Sequence, residues 1–458
     1  MRTTGTPLGR RLGRSLGSGP DVFVPAAADG SSSGPERAVL VGLLAASDGA
    51  SSESLQELAR LAETAGALVT DTVVQHRTRP DPATCVGAGK VEEIRARAQA
   101  SGATLVIFDH DLTPAQQRNL ERALGLKVLD RTALVLDIFA QRARTREGRL
   151  QVELAQLTYL LPRLAGRGAL LSRLGGGIGT RGPGETKLEV DRRRIRARIT
   201  RLRREIAALS EQRRRERQSR KDAAFPVVVL VGYTNAGKST LLNALTQAHV
   251  FTADKLFATL DPTTRKVTLP NGRPILLVDT VGFIQKLPHD LVAAFRATLE
   301  EVTEADLLVH VIDASHPRWT DQRDAVEQVL RELGATAPRV IALNKVDRLS
   351  PEALRDVLAE QPDGVPVSAL HGLGLVNLLR VVSQRLPEPT YRLTLFLPYA
   401  ALGALAHVYA HGRVLERDER PDGVWARVEV AAGALHRLQP YVLDGPRIED
   451  GRISPGGG

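Results

Sequence analysis

Val227-Val-Val-Leu-Val231-Gly232-Tyr233-Thr234-Asn235-Ala236-Gly237-Lys238-Ser239-Thr240 is the stretch that decides the fold. Residues 227–231 are an apolar run that reads as a buried strand, and 240–248 carry a helical pattern. Between them, 232–239 has the spacing G-x-x-x-x-G-K-[ST], in the strand-then-helix context that this loop requires. Its glycines let backbone N–H groups curl around phosphates, and the helix N-terminus adds positive potential. Lys238 would reach the β- and γ-phosphates, and Ser239 would ligate Mg2+. The expected ligand is a nucleoside triphosphate. The expected fold class is α/β, a P-loop domain with a doubly wound, mostly parallel sheet.

Three segments downstream select the base. Residues 275–279 read as a strand ending in Asp279-Thr280-Val281-Gly282, where Asp279 can hold Mg2+ through water and the Gly282 N–H can sense the γ-phosphate. Residues 340–343 read as another, ending in Asn344-Lys345-Val346-Asp347. A carboxylate at Asp347 accepts the N1–H and the 2-amino group of guanine together. Adenine offers no such pair and would leave that carboxylate unpaired, at a cost of about 1–3 kcal/mol or more. Residues 365–367 lead to Ser368-Ala369-Leu370, whose backbone faces the guanine O6. In this order, each after a strand, the set predicts a GTPase.

A threonine should close over Mg2+ and the γ-phosphate within Phe257-Ala258-Thr259-Leu260-Asp261-Pro262-Thr263-Thr264. Periodicity does not choose among Thr259, Thr263 and Thr264, although a solvated Thr-rich loop suits Thr263 and Thr264 better. Phe283 follows Gly282, where many small GTPases carry a water-orienting glutamine. No polar replacement stands beside it, so intrinsic hydrolysis should be slow until a partner or a monovalent cation completes the site. Asn235 is similar to the asparagine that potassium-using GTPases employ as a ligand, which makes K+ a candidate cofactor; a turn-favouring asparagine is the competing reading.

The 458 residues suggest about three domains, and 43% hydrophobic content supports packed cores. No run of 18 apolar residues occurs, so no integral membrane segment is expected. The single cysteine, Cys85, excludes an internal disulfide framework and suits a reducing cytoplasm; it reads as a small core residue. A net charge of +10 points to polyanions. The nine lysines against 53 arginines reflect an Arg-, Ala- and Gly-rich composition, so arginine by itself says nothing of RNA. Where the charge clusters does.

Residues 1–37 lack an apolar signal core and are expected to be a disordered extension. Strand patterns at 38–43, 67–74, 104–108 and 127–129 alternate with helical ones at 54–65, 91–100 and 114–124, so 38–130 read as an α/β subdomain with a parallel sheet. Gly87-Ala-Gly89-Lys90 lacks the spacing of a second phosphate loop and reads as a helix start. Over 131–222, two long apolar-striped helices, with a Gly-rich loop at 166–184 between them, predict an antiparallel hairpin. Its second arm carries thirteen arginines against three glutamates between Arg192 and Arg220. Solvated helix faces mix their signs, and this one does not. With no aromatic interleaving, the arm suits double-helical RNA read by shape and phosphate. The GTPase domain is assigned to 223–388. A small α+β C-terminal domain with a tail takes 389–458, with strands at 391–397, 408–417 and 424–431 and helices at 399–407 and 432–438. His407 and His411 lack a third metal ligand.

Asp130-Arg-Thr-Ala-Leu-Val-Leu-Asp-Ile-Phe-Ala140, Gln151-Val-Glu-Leu-Ala-Gln156, the loop 175–185, Asp191-Arg-Arg193 and the phosphate loop together resemble the HflX family of ribosome-associated GTPases, over about residues 38–442. The resemblance implies a factor that binds the large ribosomal subunit and its rRNA. Its hairpin would approach the peptidyl-transferase region, and binding with GTP would split stalled or idle ribosomes, often under stress. It selects Thr259 as the switch threonine, and Lys345, Asp347 and Ser368 as base-side contacts. Lys238, Thr259 and Gly282 are then the expected catalytic residues, and Ser239 and Thr259 the Mg2+ ligands. The chain is expected to be a cytoplasmic monomer whose low intrinsic rate ribosomes stimulate. The alternative is a GTP-gated RNA-binding factor in ribosome assembly or RNA modification.

Overall fold

The computed structural model describes residues 35–44, 51–164, 187–221, 225–246, 256–257, 259–284, 301–386, 390–431, 434–445, 447–449 and 452–454. The Gly-rich stretch, nearly all of the N-terminal extension, Ala258, the 387–389 linker and the last four residues lie outside these, with the expectations placed on them.

Strands β1 (Arg37–Leu44), β2 (Leu68–His76), β3 (Leu105–Phe108) and β4 (Lys127–Asp130) form a parallel sheet in the order β2-β1-β3-β4. Helices α1 (Ser51–Ala65), α2 (Ala88–Ser101) and α3 (Pro114–Leu124) connect them. The strands read as continuous apolar runs because both faces are covered. Val39, Val41, Val106, Phe108 and Val128 pack with Ile94 of α2 and Leu120 of α3, whereas Leu40, Leu105 and Ile107 face Leu58 and Leu61 of α1. Gly87 is the N-cap of α2, so the Gly87–Lys90 motif is a helix start. Cys85 is buried in this core, and burial pushes its thiol up to about 11.

Asp130 ends β4 and caps α4 (Arg131–Arg142), its Oδ1 accepting the Ala133 N–H at 2.8 Å. Helix α5 (Arg146–Arg163) packs on α6 (Lys187–Lys221), with Ile199 and Leu202 buried. Arg198 Nε and Nη2 each meet one oxygen of Glu153 at 2.7 Å, a bidentate tie between the arms. At 1.5 Å per residue the 35-residue α6 is about 52 Å long.

The second sheet has the order β10-β9-β8-β5-β7-β6. Its strands are β5 (Val227–Gly232), β6 (Thr263–Thr268), β7 (Pro274–Asp279), β8 (Leu307–Asp313), β9 (Arg339–Asn344) and β10 (Gly364–Pro366). All its pairings are parallel except β6 on β7. Helices α7 (Lys238–Thr246) and α10 (Leu375–Arg385) cover one face, and α8 (Trp319–Glu332) the other; α9 (Pro351–Glu360) joins β9 to β10. This is the doubly wound α/β fold expected from the phosphate loop. Thr263 and Thr264 correct the loop reading: they open an edge strand whose mostly exposed residues leave no apolar alternation to detect.

A third, antiparallel sheet, β12-β13-β11-β14, comprises β11 (Thr390–Pro398), β12 (Gly412–Arg420), β13 (Gly423–Ala431) and β14 (Val442–Asp444), with helices α11 (Gly403–His411) and α12 (Leu435–Leu438). Residues 408–411, read as strand, are the last turn of α11. Val408 is fully buried on that helix, and the strand starts only at Gly412. The His407 and His411 rings lie with centroids 4.3 Å apart, tilted by 46°, and the described residues hold no cluster of three metal ligands. Among the described residues, no helix is long and apolar enough to cross a membrane.

One core joins the first two sheets. Leu256, Phe257, Leu260 and Ile284, from loops around the phosphate site, are buried in the same cluster as α1, α4 and α5. Each such side chain contributes about 1.5–3 kcal/mol on burial, against about 1 kcal/mol net for a hydrogen bond. Apolar packing therefore dominates this junction.

Candidate active site

The phosphate loop leaves β5 and enters α7, and it is tied down on both flanks. Asn344, at the end of β9, is buried and reaches across: its Nδ2 donates to Ala236 O at 2.8 Å, and its Oδ1 accepts the Ala369 N–H at 3.0 Å. Gly237 has φ +94°, and a Cβ there would stand 2.3 Å from Asn344 Nδ2, so only glycine fits. On the other flank, Thr234 N–H donates to Phe283 O at 2.7 Å and Phe283 N–H to Gly232 O at 3.1 Å. A Cβ on Gly282 would come within 2.8 Å of the Thr234 Cα, so this backbone can lie against the loop only as glycine.

Lys238 is buried and its Nζ donates to Tyr233 O at 2.9 Å and Gly232 O at 3.1 Å. Burial pulls its ammonium down to about 8, opposed by Asp279. Ser239 Oγ, Thr259 Oγ1 and Asp279 Oδ2 converge: Ser239 and Thr259 donate to Asp279 at 2.6 and 2.9 Å and lie 2.8 Å apart. Burial raises the Asp279 carboxyl above its ordinary range. Its Oδ1 is buried with no hydrogen-bond partner. Three converging oxygens with a spare carboxylate oxygen suit a small, hard divalent cation. Thr280 donates to Leu230 O at 2.7 Å and locks this strand end to β5.

At the base side, Asp347 lies in a short 3-10 turn after β9. A hydrogen bond from the Ser368 hydroxyl, helped by His371 and Arg348, holds its carboxyl below the usual range, so it is an ionised acceptor. His371 Nε2 stands 3.8 Å away. Lys345, in the left-handed region at φ 64°, extends its Nζ to Asp313 Oδ2 at 2.6 Å. Val346 N–H donates to Val367 O at 3.3 Å, joining this turn to the strand before Ser368. Leu370 is exposed at the rim.

Phe283 is buried among Val229, Val231 and Val302, so it belongs to the sheet core rather than to the phosphate side. Neither Phe283 nor buried Ile284 supplies a polar group. Asn235 adopts φ 59° inside the loop, a conformation asparagine tolerates better than most residues.

Several groups at the site were not legible in the sequence. Asp313, which receives Lys345, has no motif around it. Tyr233 donates its hydroxyl to Glu57 of α1, and Glu57 also receives the buried Arg131 guanidinium. Arg131 Nη1 meets Asp109 Oδ1 at 2.8 Å, and Ser54 donates to Asp109 Oδ2 at 2.6 Å. Burial raises the Glu57 carboxyl, with Arg131 opposing. The Asp130–Ala140 segment was the available signal, and Arg131 stands at its start.

A phosphate loop entering a helix, an ionised carboxylate in the turn after β9 and a cluster of Ser239, Thr259 and Asp279 oxygens beside the loop are the arrangement of a P-loop GTPase. Comparison with known proteins narrows the class. Residues 52–140 match the model of the GTP-binding GTPase N-terminal region, 142–220 that of the GTP-binding GTPase middle region, and 227–345 that of the 50S ribosome-binding GTPase. GTPase HflX of Caldanaerobacter subterraneus subsp. tengcongensis is 48% identical over 409 residues, 89% of this chain and 94% of its own length. GTPase HflX of Escherichia coli is 48% identical over 367 residues, 79% of this chain and 86% of its own. A GTP-binding protein from Sulfolobus solfataricus, solved with GDP, is 26% identical over 76% of this chain and 98% of its own, with a TM-score of 0.42. The chain belongs to the HflX family of GTPases, and it hydrolyses GTP.

Proposed function

We propose that this GTPase binds the large ribosomal subunit through rRNA and uses GTP binding and hydrolysis to dissociate stalled or idle ribosomes, under stress, as a cytoplasmic monomer. The observation that carries the reading is the hairpin: a 35-residue helix dense in arginine, tied by Glu153–Arg198 to a helix that abuts the nucleotide site. Cationic helices of this kind follow phosphate backbones and confer steep salt dependence. In this reading Lys238 and the N–H groups of residues 232–240 hold the phosphates, and Asp347, Lys345 and Ser368 hold guanine. Ser239 and Thr259 hold Mg2+, which neutralises phosphate charge when bound. Asn235 is the position at which K+ would enter. The buried Phe283 supports a slow intrinsic rate, because neither Phe283 nor Ile284, the two described residues that directly follow Gly282, carries a polar side chain to orient water.

Co-sedimentation with 50S particles tests it. With a non-hydrolysable GTP analogue the protein should pellet with 50S, and with GDP it should stay in the supernatant. Raising salt from 50 to 200 mM should weaken the complex by about 1,000-fold if some six phosphates are contacted. Equal partition in both nucleotides would count against GTP-controlled binding. Splitting that persists after Lys238→Ala has abolished GTP binding would favour an RNA-binding factor in which hydrolysis is not central.

A further inference from the structure

The Asp261 carboxylate sits on the start of α5. Its Oδ2 accepts the N–H groups of Arg144 and Thr145, each at 2.9 Å, and its Oδ1 accepts the Thr145 hydroxyl at 2.5 Å. Thr145 is also the N-cap of α5, accepting the Gly148 N–H at 3.0 Å. The carboxylate thus rests on three donors at the positive end of an 18-residue helix, where charge-assisted bonds are strongest. Gly148 leaves the space for it: a Cβ there would stand 2.4 Å from Asp261 Oδ1.

Thr259, only two residues before Asp261, meets Ser239 and Asp279 at 2.8 and 2.9 Å. Two residues reach at most about 7 Å, so wherever Asp261 is anchored largely fixes Thr259. The other flank is fixed too. Phe257 stands edge-on to Phe139 of α4, with centroids 4.7 Å apart, at φ 55°, a conformation an aromatic residue keeps only when its surroundings hold it.

We propose that Thr145 and Gly148, at the start of α5, are positioning residues for GTP hydrolysis: they seat Asp261 and through it place Thr259 against Ser239 and Asp279. This rests on Thr259 being the switch threonine that meets Mg2+, and it adds what holds that threonine. Helix α5 carries Glu153, the partner of Arg198 on the cationic arm.

Gly148→Ala tests this in the full-length protein. Alanine gains about 1 kcal/mol over glycine in a helix, which offsets part of the loss as the new methyl displaces the Asp261 carboxylate, so the protein should stay folded with a melting temperature lowered by only a few degrees. The expected result is a kcat about 10-fold lower with KM for GTP within about threefold, as for a misplaced catalytic group. The Mg2+ concentration giving half-maximal binding of a fluorescent non-hydrolysable GTP analogue should rise about 10-fold, a loss of about 1.4 kcal/mol. Thr145→Ser, which keeps the hydroxyl, should stay near wild type, and Thr145→Val should reproduce the defect. Wild-type kcat and Mg2+ dependence in Gly148→Ala would overturn the proposal, as would Thr145→Ser being as impaired as Thr145→Val. Thr259→Ala separates the two levels. If it leaves Mg2+ dependence unchanged, the reading of Thr259 fails and the proposal with it. If it shifts that dependence while Gly148→Ala does not, only the positioning role fails.

Discussion

Asp347→Asn should weaken GTP binding by about 1,000-fold, or roughly 4 kcal/mol, and open the site to xanthosine triphosphate. Asp347 is an ionised acceptor, held below its ordinary range chiefly by the Ser368 hydroxyl. Guanine presents two donors, N1–H and the 2-amino group, and a carboxylate accepts both in one plane. Asparagine keeps the shape but turns one acceptor into an NH2 facing the 2-amino group. Two donors then oppose each other in a partly enclosed site, and each loses its water without gaining a partner. Xanthine carries a carbonyl where guanine carries that amino group, so the amide complements it. Displacement of a fluorescent nucleotide by GTP and by xanthosine triphosphate reads both effects. Unchanged GTP affinity in the variant would remove Asp347 from base recognition.

Arg131→Met should cost about 3–5 kcal/mol, a large share of the 5–15 kcal/mol that stabilises an ordinary domain. Arg131 is 2% exposed and is the cation shared by Glu57 and Asp109. Methionine fills much of its volume but takes away the cation that the two buried carboxyl groups share, and the Tyr233 and Ser54 hydroxyls do not replace its charge. The removal of these carboxyls from water is the source of the penalty. A carboxyl whose folded pKa rises above its unfolded value destabilises the fold at pH above the unfolded value, and the effect disappears on acidification. The deficit of Arg131→Met should therefore shrink as the pH is lowered toward the carboxylate range. Adding Glu57→Gln and Asp109→Asn should recover much of it at neutral pH. Chemical denaturation at two pH values measures this, and a deficit independent of pH would show that packing rather than stranded charge is responsible. Because Glu57 also receives the Tyr233 hydroxyl, the variant should loosen the phosphate loop as well.

The contrast between these two sites shows what sequence could and could not convey. Lys238, Ser239, Asp279 and Asp347 stand in short motifs whose spacing is set by a strand end and a following turn, so local order carried their geometry. The first sheet was legible for a similar reason: strands covered on both faces, such as β1 and β3, give unbroken apolar runs. Strand β6 was missed because its residues are mostly exposed and pair antiparallel at an edge. Contacts between distant segments left no local trace. Asp261 on Thr145, Tyr233 on Glu57 and Arg131 on Asp109 each join residues far apart in the chain. Periodicity cannot register such pairs; only the family resemblance marked the Asp130–Ala140 segment, and it assigned no role to Arg131. Phe283 is instructive in the other direction. Its apolar character was read as a missing catalytic group, and its burial beside Val229 and Val231 supplies the physical reason that it cannot be one.

In the proposed function hydrolysis waits for the large ribosomal subunit, so GTP turnover should be measured with and without purified 50S particles. At saturating GTP and Mg2+, phosphate release should be slow for the protein alone and rise at least about 10-fold as 50S is added. Turnover that is the same in the presence and absence of 50S would show that the subunit does not control hydrolysis.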